Sequence, residues 1–139
     1  MYVDVKQYLR GYIIWKDKAE LIERQIHQLR EDVTSCSFQQ DGMPHGNSVS
    51  GLENYVAKLD ELLRELDDAK SEAIRKYSEI NNTLMTHKLN DIEYMVLVRR
   101  YLLRESWEEI AVNMGYHYRH VLRIHGSALE NLKSSLNVT

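Results

Sequence analysis

The sequence predicts an all-α chain: a long antiparallel helical hairpin of coiled-coil type, followed by a small C-terminal helix-turn-helix domain. Three observations predict it. Residues 5–33 and 52–84 carry apolar side chains at seven-residue intervals. The turn-rich stretch TSCSFQQDGMPHGNSVS, residues 34–50, lies between them. Residues 106–132, SWEEIAVNMGYHYRHVLRIHGSALENL, place a small residue, a glycine and two apolar residues where two helices joined by a tight turn need them.

The first hairpin helix is expected over residues 2–33. Asp4 and Gln7 have capping-box spacing at its start. Val5, Tyr12, Ala19, Ile26 and Val33 form one heptad row, and Tyr8, Trp15, Ile22 and Leu29 the other. Gly11 is a local weak point that leaves the period intact. The loop 34–50 holds Asp-Gly, the single proline and a second glycine. Its Cys36, Asp41 and His45 fit no metal-site spacing, so it reads as a connector. The second helix is expected over 51–87, capped by Ser50 with Glu53. Its rows are Leu52, Leu59, Leu66, Ala73, Ile80 and Val56, Leu63, Lys70, Tyr77, Leu84, with Lys70 an awkward charge on the seam. Each helix would be about 50 Å long. A lone two-helix hairpin buries little surface, so residues 2–87 are expected to have a partner, most simply a second copy of the chain.

The period is lost near Thr86–Lys88, which sets the expected boundary between an arm, residues 1–87, and a domain, residues 88–139. Asn90 with Glu93 opens a helix to about residue 104, with Ile92, Val96, Leu97 and Tyr101 toward the core. Ser106 with Glu109 opens the first helix of the motif at 107–114. Ala111 then stands at the close helix crossing and Gly115 in the turn, where a positive φ suits glycine. Ile110, Met114, Val121 and Ile124 close the seam. The last helix begins near His117 and runs to about Leu132.

Composition excludes several classes. The 139 residues carry a net charge of −3 and hold one cysteine, so no intrachain disulfide or cysteine-rich zinc site is expected. No run is apolar enough to span a membrane, and the N-terminus lacks a basic lead and apolar block, so neither a membrane partner nor secretion is expected. A cytoplasmic location follows as the expectation. No phosphate-binding glycine loop, ligand cluster or activated nucleophile is visible. The chain is therefore not expected to be an enzyme or to use a metal, cofactor or small-molecule substrate. Charge is uneven: residues 1–87 hold eleven Lys and Arg against fifteen Asp and Glu, whereas residues 88–139 hold seven against six. The motif half is the basic one.

A helix-turn-helix presents its second helix to the major groove of double-stranded DNA. Tyr118, Arg119, Leu122 and Arg123 are the candidates for base contacts. The two arginines, four apart, suit guanine, and Leu122 suits a thymine methyl. His117, His120, Lys133, Arg99, Arg100 and Arg104 are the candidates for phosphate contacts. Arg100 has an equal alternative in an ion pair with Glu108 or Glu109. Trp107 reads as a core plug in preference to a base stacker.

The stretch VLVRRYLLRESWEEIAVNMGYHYRHVLRIHGSALENL also resembles the fourth conserved region of bacterial sigma factors. The matching features are Val96-Leu97, Arg100-Tyr101, Trp107-Glu108-Glu109-Ile110, Met114-Gly115, Val121, Ile124 and Ala128-Leu129. The arrangement of the chain, with Pro44-His45-Gly46 in its loop, resembles late-gene transcription regulators of phages and prophages, of the RinA and ArpU type. The resemblance implies a sequence-specific transcription regulator, an activator of late genes, with bacterial RNA polymerase as a possible contact. It departs from sigma factors where Leu122 stands in place of a common arginine. Two rival functions remain at this stage. One is a small terminase-like DNA-packaging subunit, and the other a polymerase-binding adaptor that reads no bases.

Overall fold

A computed structural model describes residues 4–38 and 48–137 of the chain. Among them every regular element is a helix: α1 (Val5–Leu9), α2 (Gly11–Phe38), α3 (Ser48–Thr86), α4 (Asp91–Tyr101), α5 (Trp107–Met114) and α6 (Tyr118–Asn137). The chain is all-α and contains the long helix pair.

Contacts divide it into two compact units, Trp15–Glu72 and the combination of Met1–Ile14 with Ala73–Thr139. The division differs from the expected boundary at 87/88. A break in the chain does lie there, between α3 and α4. The packing crosses it, because the start of the first helix and the end of the second lie against the helix-turn-helix.

In the unit 15–72, α2 and α3 run antiparallel. Ala19, Ile22 and Ile26 meet Leu62 and Ala69, flanked by Trp15, Leu29, Leu59 and Leu66. The small Ala19 and Ala69 let the backbones approach. The rows foreseen on α2 are those that pack. On α3 one row is displaced. Leu62 and Ala69 are buried, whereas Leu63 and Val56 are exposed. The seam therefore follows 59, 62, 66, 69 and 73, alternating steps of three and four. This removes Lys70 from the seam. Its Nζ lies 3.0 Å from Glu23 Oε1 on the flank, with both side chains about half exposed, a pair worth about 0–1 kcal/mol.

Helix boundaries also move, and α6 runs on to Asn137, past the expected end near Leu132. The first helix is interrupted at Arg10, a turn residue next to Gly11. α2 continues to Phe38 and α3 begins at Ser48, so both ends of the expected loop are helical and Ser50 lies inside α3 instead of capping it. Residues 39–47, with Asp41 and His45, lie outside the described residues. At the other end, α4 stops at Tyr101, short of the expected residue 104.

The second unit holds two apolar clusters threaded by α6. Val5 and Leu9 of α1, Ile80 and Leu84 of α3, Leu97, Tyr101 and Leu102 from α4 and its end, and Ala128 and Leu132 of α6 form the first. Val96, Ile110, Ala111 and Val121 form the second, with Trp107, Met114, Tyr116 and Ile124 around it. Ile92, expected in the core, is exposed. It stands four residues before Val96, in the first turn of α4. Glu93 takes the inward place instead. Its carboxylate accepts from its own cap, Asn90 N–H (3.2 Å), and from Ser127 Oγ (3.1 Å) and Asn131 Nδ2 (2.8 Å) on α6. A carboxylate only 4% exposed thus has three donors, as a buried charge requires.

Candidate nucleic-acid interface

α5 and α6 form the motif from the cap inward. Ser106 Oγ accepts from Glu109 N–H at 3.1 Å and starts α5. Gly115 ends it in the left-handed region, at φ 71° and ψ 31°. Tyr116 N–H then donates to Ala111 C=O at 3.0 Å, folding the turn back onto the helix. His117 C=O accepts from Val121 N–H at 3.1 Å, which opens α6. Each step satisfies a helix-end group that would otherwise lose its partner.

The α6 face turned inward is Val121, His125, Ala128 and Leu132, all buried. The opposite face near its start is free: Tyr118, Arg119, His120 and Arg123 are exposed, and Leu122 is half-buried beside them. His117, Tyr118, Arg119, His120 and Arg123 line one shallow depression. Four of the five side chains foreseen as base or phosphate contacts on this helix start therefore share a surface with His117. Tyr116 holds the His120 ring edge-on, centroids 5.1 Å apart.

The remaining expected phosphate contacts divide. Arg99 is engaged inside the fold: its Nη1 donates to both carboxylate oxygens of the mostly buried Glu105, at 3.2 and 3.1 Å. Asn113 Nδ2 donates to the same carboxylate. That network ties the α4–α5 turn to the end of α5 and leaves Arg99 a positioning role. Arg100 does not pair with Glu108 or Glu109. It donates to the Glu105 carbonyl at 3.2 Å, and its guanidinium lies over the Trp107 ring, 4.4 Å from the centroid. Arg104 is exposed in the turn, the one described non-glycine residue at positive φ (60°). Lys133 stands fifteen residues beyond Tyr118, roughly 22 Å along α6, and so outside this surface.

Trp107 serves as the plug the sequence implied. It packs against the second cluster, and its ring meets His125 edge-on at 4.6 Å. His125 is buried between the two clusters. Its Nε2 is 2.8 Å from Tyr101 Oη, and the rings stack at 5.7 Å. Burial, with Lys6 and Arg100 nearby, lowers its pKa to about 4, so the ring is neutral at pH 7 and Nε2 accepts the Tyr101 hydroxyl. Burial raises the Tyr101 pKa, keeping that hydroxyl a donor.

Sequence reasoning missed Lys6 and Arg10. They join Arg100, Tyr101, Arg104 and Trp107 around a recess of about 480 Å³. The available signal was their spacing, four apart on a short helix whose Val5 and Leu9 face inward. What the sequence lacked was the docking of that helix on α6, beside the end of α4.

Among the described residues there is no group of three or more His, Cys, Asp or Glu side chains arranged to hold a metal ion. None of their helices is long and apolar enough to cross a membrane. Comparison with protein-family models, with curated proteins and with solved structures gives no match.

Proposed function

We propose that this chain is a sequence-specific DNA-binding transcription regulator that reads the major groove with the start of α6. The single observation that carries the reading is the exposed array Tyr118, Arg119 and Arg123 on a helix held by a glycine turn against α5. Arg119 and Arg123 lie one turn apart and each offers a planar fork to a guanine edge. Leu122 lies between them for a thymine methyl. His117 and His120 flank the array toward the backbone. The chain acts by binding, with no catalytic step and no cofactor.

The resemblance to sigma-type motifs and to late-gene regulators of phages and prophages supports a role as activator, with RNA polymerase as a contact. Two arginines on the reading face supply too little charge for tight binding by one copy. A homo-oligomer through residues 2–87 answers that need. Leu52, Val56 and Leu63 of α3, exposed beside the intrachain seam, are the surface it would use.

The test is selection of bound duplexes from a random pool, with the mass of the chain measured in solution. The proposal expects an enriched motif, a dimer, and half-sites separated by whole helical turns. Failure to enrich any motif would remove base readout and leave the polymerase adaptor. A ring of eight or more copies would indicate a packaging subunit.

A further inference from the structure

We infer that Lys6, Arg10, Arg100 and Arg104 form a second DNA-contacting site, a phosphate cleft that brings the N-terminal helix onto the backbone of the same duplex α6 reads. The inference rests on the DNA-binding reading and extends it to residues that reading does not use. Four cationic side chains from opposite ends of the sequence border one recess, and no carboxylate lines it. Their convergence has an independent mark: Lys6 and Arg100 both act on His125, and Arg10 and Arg100 both act on Tyr101. Among the described residues Lys6 and Arg10 have no ion-pair partner, whereas the exposed cations Lys58, Arg64 and Lys70 each have one. The like charges of Lys6 and Arg10, one helical turn apart beside Arg100, repel, and an anion between them removes that cost.

The chemistry of the recess fits a phosphodiester. Arg100 spends one N–H on the Glu105 carbonyl and lies over Trp107, and its other N–H groups remain as donors. Arg104 and Trp107 lead into α5, and the first helix of such a motif is the one that crosses the phosphate backbone. This placement favours DNA over an acidic protein segment, which would need no relation to α5.

The double variant Lys6→Gln/Arg10→Gln tests it, with a random-sequence 30-base-pair duplex and the selected motif as probes. Both side chains are exposed, so circular dichroism and thermal melting should match the parent chain. The expected result is affinity lower by on the order of tenfold for both probes, with a salt slope shallower by about two. The preference between the probes stays unchanged. The control Lys58→Gln/Arg64→Gln, of equal charge change, keeps the parental slope. An unchanged slope in the recess variant, with the parent binding both probes, overturns the cleft alone. A parent chain that binds neither probe overturns the DNA-binding reading as well. A poly-glutamate peptide that binds the parent, is lost in the recess variant and does not compete with DNA assigns the recess to an acidic protein and overturns the proposal.

Discussion

Arg123 and His125 are two residues apart, and on one helix the first is exposed and the second buried. Arg123 is exposed on the free face of α6 and sits one turn beyond Arg119. Arg123→Ala removes a bidentate donor from the reading surface and nothing from either core cluster. Specific affinity is predicted to fall by about 1–3 kcal/mol, with relaxed preference at one base position. An unchanged footprint in a gel-shift series would move the reading surface elsewhere. His125 does the opposite work, buried between Tyr101 and Trp107 and beside the charges of Lys6 and Arg100. Its folded pKa, about 4, lies below the ordinary 6.5. The unfolded chain therefore binds the extra proton first as pH falls. The stabilisation is complete above about 6.5 and is lost progressively down to about 4. Melting temperature against pH should thus fall more steeply in the parent than in His125→Gln across that window. Parallel curves would show that this histidine does not titrate differently on folding.

Helix ends carry most of what the sequence made legible at the scale of the element. Asn90 and Glu93 form both halves of their capping box, Ser106 caps α5, and α5 spans the residues foreseen. These are local signals, and local physics decides them. The turn at Gly115 gives a direct test. Its φ is 71°, and a Cβ there would meet nothing within 4 Å. Gly115→Ala therefore costs only the left-handed backbone, roughly 1–2 kcal/mol. Asn at this position should cost less than Ala, since asparagine visits that region more readily. Equal melting temperatures for the two variants would mean that the turn does not hold this conformation in solution. The α3 seam shows where legibility stopped. Leucines occur at both 62 and 63, and the seven-residue row 56, 63, 70 and 77 is apolar or aromatic except at Lys70. Both rows satisfy the heptad rule. The choice between them is made by packing against α2, where Leu62 and Ala69 join Ala19, Ile22 and Ile26. A single helix cannot announce which of two adjacent stripes its neighbour will take. The recess had the same difficulty, since Lys6 and Arg10 acquire meaning only when α1 lies beside the end of α4.

For the whole molecule the consequential fact is that the helix-turn-helix does not own its core. Leu97, Tyr101, Leu102, Ala128 and Leu132 belong to residues 88–139, but Val5 and Leu9 of α1 and Ile80 and Leu84 of α3 cover them. Tyr8 Oη and Thr83 Oγ1, 2.8 Å apart, bind those covering helices to each other. Leu9 is fully buried, and Leu9→Ala in the full chain should cost about 2–5 kcal/mol. That is a large share of the roughly 5–15 kcal/mol that holds a domain together. A fragment of residues 88–139 loses all four covering side chains at once. It is predicted to show no cooperative urea transition, while the full chain shows one that Leu9→Ala shifts to lower urea. Losing the N-terminal helix should also cost DNA affinity through stability alone, which is why the exposed Lys6 and Arg10, and not Leu9, isolate the phosphate cleft. A fragment 88–139 that unfolds cooperatively at the urea concentration of the full chain would show that the motif is self-sufficient. The helix pair would then be an appendage to the reading head, and its first and last turns would have no part in holding α6 against the groove.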